Sequence, residues 1–425
     1  MKQTSARSRA LKETSHLMTK LRVRTHTDQL ELTVLLPCLN EEKTIAACVT
    51  EARRAIAQLG LAAEVLVADN GSEDDSRRVA EEAGARIVEV AARGYGSALR
   101  AGIAAARGRY VVMADADGSY DLGQLAPFLE RLRAGDQLVM GDRFKGGIAV
   151  GAMPWLHRWL GNPVLSRLGR LFFSARIADF HSGMRGFDRR AIEALELHTS
   201  GMEFASEMVI RAALEGYAVT NVPIRLRRDG RGRPPHLRTW RDGWRHLRFM
   251  LLLSPRWLFL FPGLGLIGVG AVAGALLVAG PVYVGRIALD IHTLLMAAGA
   301  VLLGYQLVGF ASFAEAFAIR GGIRPAGSRG GPFEWLRLEV GIALGLALMA
   351  AGVAGIVIEA GGWAALGYGQ LDPRQTMRVL IPSLLALCIG FQTLFGSFFL
   401  DLLRMPIRVE RRAPEAAKQL TRAGR

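Results

Sequence analysis

Four long stretches without a charged side chain follow residue 257, and they limit the fold more than any other feature of the chain. They are Leu258–Val284, Thr293–Ala314, Val340–Ile358 and Val379–Leu400. A helix needs about 20 apolar residues to cross the hydrocarbon core of a bilayer. The third stretch is only just long enough. We therefore predict an all-α membrane domain of four transmembrane helices.

The positions of the arginines predict how these helices are oriented. The connection between the second and third stretches carries four arginines, and the tail after Leu403 is also rich in arginine. The other two connections carry few basic residues, among them Arg286 and Arg374. Because basic loops stay in the cytoplasm, we expect a multi-pass protein of the cell (inner) membrane. No apolar core of signal-peptide length precedes the first domain, so we expect that domain in the cytoplasm.

Short apolar runs alternate with helical patterns before the membrane domain. Residues such as Leu32–Leu36 and Glu64–Ala68 read as buried strands, each followed by an amphipathic helix. This order is typical of an α/β fold with a Rossmann-like, doubly wound parallel sheet. The predicted division of the chain is a basic arm (1–30), a sheet domain (31–235), an amphipathic interfacial helix (236–257), the membrane domain (258–403) and a basic tail (404–425).

One predicted strand, in the run Gly108–Gly118, ends in two aspartates. Asp115 and Asp117 are separated by one alanine and followed by a glycine. Residues i and i+2 of a strand share a face, so the two carboxylates can close on one hard cation such as Mg²⁺ or Mn²⁺. The plainer alternative is that both aspartates only solvate a loop.

The other predicted strands also end in polar residues. Since ligands of open α/β sheets bind at the carboxyl ends of strands, one crevice should collect Glu41, Asp69, Arg93, Asp115, Asp117 and Arg143. Helix capping explains several polar residues equally well: Asn40 as an N-cap, and Ser72 with Asp75 or Ser200 with Glu203 as capping boxes. Glu203 stays undecided between a cap and a further role. No glycine fingerprint follows the first strand, which excludes an ordinary dinucleotide site.

A strongly basic stretch connects the sheet domain to the membrane domain. The formal net charge of the chain is +15, and nine arginines against two aspartates lie between Arg225 and Arg248. Trp240, Trp244 and Leu247 form an apolar stripe there, beside an arginine stripe. Nucleic acid is the rival partner, but the stripe leads into an apolar span, which favours an anionic membrane surface. We predict no nucleic-acid partner.

Two further features are open or minor. Residues 154–173 form an apolar helical pattern that faces either the core or, as Trp155 and Trp159 favour, a membrane interface. Cys38, Cys48 and Cys388 are too few and scattered for a disulfide framework, and we expect buried thiols.

Taken together, the motifs of residues 32–250 resemble the family 2 glycosyltransferases. Their order is that of the dolichyl-phosphate mannose and polyprenyl-phosphate glucose synthases. The motifs are Pro37-x-x-Asn40-Glu41, Asp69-Asn70-Gly71-Ser72, Arg93-Gly94-Tyr95-Gly96, Asp115-Ala116-Asp117, Gly141-Asp142-Arg143-Phe144 and Ser182-Gly183-Met184-Arg185-Gly186-Phe187.

The resemblance implies a GT-A fold and a role for each matching residue. The nucleotide-sugar donor would be held by Pro37, Asn40, Glu41, Asp69, Arg93, Gly94 and Asp115. Asp115 and Asp117 would bind Mg²⁺ or Mn²⁺ together with the diphosphate. Asp117, Arg143 and Arg185 would be the catalytic residues. Two departures are Ser119, where some mannose synthases have glutamine, and Gly230–Pro235, which replaces their Ser-Lys-Leu acceptor motif.

The expected acceptor is a polyprenyl phosphate, contacted by Arg143, Arg185, Arg231 and Arg233. A lipid monophosphate is largely a dianion at neutral pH, so it can attack an anomeric carbon without a general base. The protein must then supply orientation and positive charge. Direct displacement would invert the anomeric centre.

Two other functions stay open from the sequence. A processive polysaccharide synthase resembles this fold but usually carries Gln-x-x-Arg-Trp, whereas here Trp155 precedes Arg158-Trp159. A transporter or flippase with a nucleotide-sugar-sensing domain is disfavoured, because charged residues are nearly absent from the spans. The sequence leaves the sugar and the oligomeric state open, and a homo-oligomer is possible.

Overall fold

The computed structural model describes residues 30–173, 177–232, 239–324, 332–333 and 336–405. The predicted basic arm, except residue 30, lies outside these ranges, as do Arg233 and the tail after residue 405. The chain divides after Ser254 into two compact units.

The first unit is built on one seven-stranded sheet. Its strand order is β3-β2-β1-β4-β6-β5-β7. Alternate side chains of β1 enter the two apolar layers that cover the faces: Val34 and Leu36 pack in one layer and Leu35 in the other. The strands are β1 (Leu32–Cys38), β2 (Ala63–Asp69), β3 (Arg86–Glu89), β4 (Tyr110–Met113), β5 (Leu138–Asp142), β6 (Arg185–Asp188) and β7 (Val219–Pro223).

Helices connect these strands and cover both faces of the sheet. They are α1 (Ile45–Gln58), α2 (Ser76–Glu82), α3 (Tyr95–Ala105), α4 (Ala126–Arg133), α5 (Arg143–Gly146), α6 (Asn162–Phe173), α7 (Arg189–Ala194), α8 (Phe204–Leu214) and α9 (Thr239–Leu252). A π-helical turn, His157–Gly161, leads directly into α6.

The predicted Rossmann-like sheet is confirmed, but one of its strands departs from the parallel arrangement. β6 runs antiparallel to both of its neighbours, β4 and β5. The motif Ser182-Gly183-Met184-Arg185-Gly186-Phe187 thus enters strand β6 at Arg185. Its glycine-broken sequence has no alternating pattern, but Gly186 leaves room for Phe128 and Leu132 of α4 to pack directly on the strand.

The sheet places its ligand crevice beside β1 and β4. These two strands are parallel neighbours, with β2 on the far side of β1. Successive strands are added towards one edge of the sheet from β1 to β3, and β4 is then added on the other side of β1. Ligands of open α/β sheets bind at such a switch in strand order, outside the carboxyl ends of the strands. The loops after β1, β2 and β4 therefore meet at one edge.

Two helices of this unit carry exposed apolar side chains. Trp155 and Trp159 are 72% and 64% exposed, and Leu171 is also exposed, whereas Phe173 is buried in an apolar layer of the sheet, so the apolar pattern of residues 154–173 is divided between the surface and the core. On α9, Trp244 and Leu252 are exposed while His246 and Met250 are buried. Placement of either helix in a membrane interface stays a prediction.

Among the described residues of the second unit, four helices are long and apolar enough to cross a membrane. These candidate spans are Arg256–Ala279, Ile291–Arg320, Leu338–Ala365 and Pro373–Arg404. Their regular parts are α10 (Phe261–Ala279), α11 (Ile291–Arg320), α12 (Leu338–Ala365) and α13 (Pro373–Arg404). Glycines bring α12 and α13 together: a Cβ on Gly390 would lie 2.6 Å from the carbonyl oxygen of Gly345. Small residues commonly allow such close approach in membranes.

The predicted end of the first span is wrong. The helix ends at Ala279, and the next residues form a short hairpin of β8 (Val282–Val284) and β9 (Ile287–Leu289). Gly280 is fully extended, and Pro281 cannot donate a backbone hydrogen bond to continue a helix.

Candidate active site

The two aspartates predicted to bind a cation lie where β4 ends. Ala116, between them, accepts a hydrogen bond from the Thr44 hydroxyl at 2.8 Å. This bond fastens the loop after β4 to the residue that precedes α1. The Asp117 carboxylate is buried, and its Oδ1 accepts hydrogen bonds from the amide and hydroxyl of Ser119 at 3.0 and 2.5 Å. Its Oδ2 is thereby left to face another partner.

That partner is Arg231, which lies 114 residues further along the chain. Its Nη2 lies 2.5 Å from Asp117 Oδ2, and its Nε lies 3.1 Å from Glu41 Oε1. The amide of Gly230 donates to the Asp117 carbonyl oxygen at 2.9 Å. The structure thus brings Glu41, Asp117 and Arg231 together. Arg231 was predicted to contact the acceptor phosphate, and in this structure it contacts two carboxylates.

Asp115 is held between a tyrosine and a glycine. Its Oδ1 accepts a hydrogen bond from the Tyr95 hydroxyl at 3.0 Å. A Cβ on Gly183 would lie 2.5 Å from its Oδ2, so a larger residue there would have to displace the carboxylate. Burial, and secondly the charge of Asp117, raise the pKa of Asp115 to about 6; Tyr95 and Arg231 act in the opposite direction.

The loops after β1 and β2 are tied together by side chains that we predicted as helix caps. Asn40 has φ of 56° and accepts a hydrogen bond from the Glu73 amide, while Ser72 accepts one from the Asn40 amide. Helix α1 begins only at Ile45, and no side chain caps it. The capping predictions for Asn40 and for Ser72 are therefore wrong, because both side chains bond across to the neighbouring loop.

Asp69, Pro37 and Glu41 lie in or beside these loops. Asp69 is buried, and its carboxylate accepts hydrogen bonds from the amides of Gly71 and Ser72. Pro37 pairs in register with Ala68 inside the sheet. The Glu41 amide donates to the Ser76 hydroxyl at 2.7 Å. The residues predicted to bind the nucleotide-sugar donor thus lie together where the loops after β1 and β2 are hydrogen-bonded to each other. We call this region the rigid corner.

Gly94 belongs to this corner, but Arg93 points away from it. Gly94 donates its amide hydrogen to Asn70 Oδ1 at 2.6 Å, and a Cβ there would lie 2.2 Å from the Ser200 carbonyl oxygen. The Arg93 side chain is 85% exposed and lies 3.9 Å from Glu73. In this structure Arg93 is not among the groups that line the crevice.

Two of the four arginines predicted to contact the acceptor, Arg143 and Arg185, are buried, and each has protein partners. Arg143 forms a two-pronged ion pair with Asp179, at 2.5 and 2.8 Å. Burial lowers the pKa of Arg143, but Tyr120 and Asp179 raise it by more. Arg185 is fully buried and donates to the carbonyl oxygens of Ser182 and Ala205. Burial lowers the pKa of Arg185.

Comparison with known proteins agrees with this geometry. The model of glycosyl transferase family 2 matches residues 33–196, and that of the family 2 C-terminal transmembrane region matches residues 312–404. The low-salt glycan biosynthesis hexosyltransferase of Haloferax volcanii is 37% identical over 379 residues, which are 88% of this chain and 89% of that protein. The chain belongs to glycosyl transferase family 2.

Other relatives of this glycosyltransferase match part of the chain. The dolichyl-phosphate hexose transferase of Haloferax volcanii is 33% identical over 46% of this chain and 83% of its own length. The polyprenol monophosphomannose synthase of Mycolicibacterium smegmatis is 30% identical over 45% of this chain and 75% of its own length. The family match confirms the GT-A-like sheet, and the transmembrane match confirms a membrane glycosyltransferase.

The carboxylates of Asp115 and Asp117 suit a hard divalent cation in the kind of ligand atom that they offer. They offer only oxygen atoms, which Mg²⁺ and Mn²⁺ prefer, and they already attract the guanidinium of Arg231. Among the described residues, no three acidic, histidine or cysteine side chains could hold a metal alone. A cation on Asp115 and Asp117 would therefore need further oxygens from a substrate.

The roles of three residues of the site were not predicted from the sequence. Tyr95 positions Asp115, Asp179 holds Arg143, and the Tyr120 hydroxyl accepts a hydrogen bond from the Gly183 amide at 2.7 Å. Tyr95 and Asp179 lie inside motifs quoted for the resemblance or beside them. Only their side-chain partners, which lie far away in sequence, could have revealed their roles.

The acidic residues of α8 have a structural explanation in part. Glu207 is buried and accepts hydrogen bonds from the amides of His198 and Thr199 and from the Thr199 hydroxyl. It thereby fixes the loop whose Ser200 supports Gly94 and Gly96. Glu203 stands at the N-cap position of α8 without capping it through its side chain, so the capping-box prediction is wrong.

Proposed function

We propose that this membrane glycosyltransferase moves a hexose from a nucleotide sugar, of the UDP-glucose or GDP-mannose type, to a polyprenyl phosphate. The observation that carries the proposal is the convergence of Asp117, Glu41 and Arg231 at the carboxyl ends of β1 and β4. Opposite charges packed there suit a diphosphate with its counter-ion and an anionic acceptor. The names of the two partial relatives support the same substrates.

The donor side of the proposal rests on the rigid corner. Asn40, Glu41 and Gly94 lie in loops that bond to one another, and Pro37 and Asp69 lie at the ends of the strands that lead into them. A fixed frame of this kind suits the base and ribose of a nucleotide, because orientation is then determined before binding. Arg93 is assigned to the donor on the motif alone, since its side chain is exposed here.

Asp115 and Asp117 would hold Mg²⁺ or Mn²⁺ with the donor. When bound, such a cation offsets the negative charge that develops on the departing diphosphate. Ser119 donates to one oxygen of Asp117, and Tyr95 donates to one oxygen of Asp115. Each carboxylate is thereby oriented by a bond to one of its oxygens, and the second oxygen of Asp117 faces Arg231.

The acceptor side would depend on arginines. Arg143, fixed by Asp179, and Arg231 bring positive charge to the crevice; Arg185 is assigned from its motif, as is Arg233, which lies outside the described residues. A lone pair of an acceptor phosphate oxygen forms the new bond to the anomeric carbon as the bond to the diphosphate breaks, and the electron pair of the broken bond leaves on the diphosphate oxygen. No proton needs to move, and the anomeric centre inverts.

We also propose that the first unit lies in the cytoplasm and that the four spans of the second unit cross the inner membrane. Nucleotide sugars are cytoplasmic, and the arginine distribution follows the positive-inside rule. Reporters after Arg425 and near Gly327 should both signal cytoplasm, and one near Gly367 the opposite side. An outside signal near Gly327 would contradict the four-span orientation.

Purified protein incubated with single nucleotide sugars, Mn²⁺ and a short polyprenyl phosphate tests the whole proposal. We expect one lipid-linked monosaccharide on thin-layer separation, formed with one donor far faster than with the rest. A long polymer would instead identify a processive synthase. Absence of transfer from every donor would refute the proposed acceptor.

A further inference from the structure

The segment that carries Arg231 is fastened along the loop after β4. The Arg227 amide donates to the Ser119 carbonyl oxygen at 2.7 Å, and the Gly230 amide donates to that of Asp117 at 2.9 Å. The Arg227 guanidinium also pairs with Asp121 at 2.7 Å and with Glu51 at 3.0 Å. Residues 227–232 therefore follow the loop closely enough to hold Arg231 over the carboxylates.

The Arg231 side chain is buried in this position. It is only 14% exposed, and its two contacts are with the carboxylates of Glu41 and Asp117. Burying a guanidinium is costly unless anionic partners compensate for its lost hydration. Arg231 therefore stays here only while these carboxylates are free to receive it.

One oxygen of Asp117 is decisive. Since Oδ1 accepts two hydrogen bonds from Ser119, Oδ2 is the oxygen that faces the crevice, and Arg231 lies on it. A divalent cation on the same oxygen would stand beside the guanidinium, and like charges at that separation repel strongly. Arg231 and a cation therefore compete for Asp117.

We propose that a divalent cation displaces Arg231 from Asp117, and that the released guanidinium then receives the acceptor phosphate. This inference deepens the proposed function, on which its second half rests. The charge of Arg231 is already compensated by Glu41 and Asp117, so we expect its affinity for a phosphate to rise once the cation has loaded. Cation and donor therefore bind first, and the acceptor binds second.

Binding of Mn²⁺ to the full-length protein in detergent, without donor or acceptor, tests the competition directly. Free Mn²⁺ is measured by electron paramagnetic resonance. Arg231→Ala should bind Mn²⁺ about tenfold more tightly than wild type, within the usual range of coupling between sites. Arg231→Lys, which keeps the charge, should stay close to wild type.

Arg228→Ala is the matched control. Arg228 belongs to the same segment but donates to the carbonyl oxygen of Val150 at 2.5 Å, so its removal should leave Mn²⁺ affinity unchanged. If Arg231 only holds the segment in place, Arg231→Ala would lower both the melting temperature and the Mn²⁺ affinity. Equal or weaker Mn²⁺ binding by a folded Arg231→Ala protein would overturn the proposal.

Binding of a short polyprenyl phosphate, followed by calorimetry, tests the order. Wild type should bind it at least tenfold more tightly with Mn²⁺ and UDP than without them, and Arg231→Ala should lose that dependence. Cation-independent binding by wild type would overturn the order and leave the proposed function standing. Absence of binding under every condition would refute the proposed acceptor, while the Mn²⁺ affinities would still decide the competition.

Discussion

One close glycine contact in the sheet unit and one in the membrane unit differ in what lies next to the glycine. In the sheet unit, a methyl group on Gly183 would meet the carboxylate of Asp115 and the hydroxyl of Tyr120. In the membrane unit, a methyl group on Gly390 would meet the backbone of Gly345 and Met349. Side-chain ends can move aside and helix backbones cannot. We therefore expect a substitution of Gly183 to lower the reaction rate and a substitution of Gly390 to lower the stability of the helix pair.

The strongest test of the sheet unit is Asp117→Asn. It removes the negative charge that attracts a cation and Arg231, while keeping the shape of the side chain. We expect transfer to fall by about 10³-fold or more, as for the loss of a main electrostatic group. The melting temperature should stay near that of wild type, and EDTA should silence wild type to a similar extent. Full activity in cation-free buffer would contradict the proposed role of Asp117.

Gly183→Ala tests the contact beside Asp115. The added methyl group must push the carboxylate or Tyr120 aside, and small misplacements in an active site cost about 100-fold in rate. Stability should change little, because only side-chain ends need to move. Gly243→Ala is the control, since nothing lies within 4 Å of a Cβ there. If Gly183→Ala instead lowered the stability and left the rate per folded molecule unchanged, Gly183 would serve packing rather than the position of Asp115.

Gly390→Ala should show the opposite pattern. The methyl group forces α12 and α13 apart, which we expect to cost about 1–3 kcal/mol of stability, as for other overpacked contacts. The melting temperature in detergent should fall while turnover per folded molecule stays within twofold of wild type. Gly268→Ala, with open space around its Cβ, should change neither quantity. Loss of turnover without loss of stability would show that this helix pair serves the chemistry.

The smallest effect concerns pH. The pKa of Asp115 is about 6 in the folded protein against 3.8 ordinarily, so folding favours its protonated form. That contribution is fully present below about pH 4 and is lost as the pH rises through about 6. Without a divalent cation, wild type should therefore lose stability relative to Asp115→Asn between about pH 4 and pH 6. The melting temperatures of the two proteins give this difference, and a parallel course would contradict the raised pKa.

Local patterns predicted much of the fold and the position of the site. The apolar run before Asp115 and Asp117 identified the strand, and uncharged length identified the four membrane helices. Contacts between distant residues could not be predicted in this way. Arg231 reaches back to Asp117, Asn40 bonds to the next loop rather than capping α1, and β6 is stabilised by α4 although its own sequence has no strand pattern.

The position of β6 has a consequence for how the chain is made. β5 pairs only with β6 and β7, and β6 lies between β4 and β5 in the sheet. During synthesis β5 therefore emerges from the ribosome before either neighbour exists. At roughly 5–20 residues per second, the stretch from Asp142 to Arg185 takes several seconds to add. For that time the nascent chain presents an apolar strand with two open edges, and a chaperone would have its best opportunity to bind there.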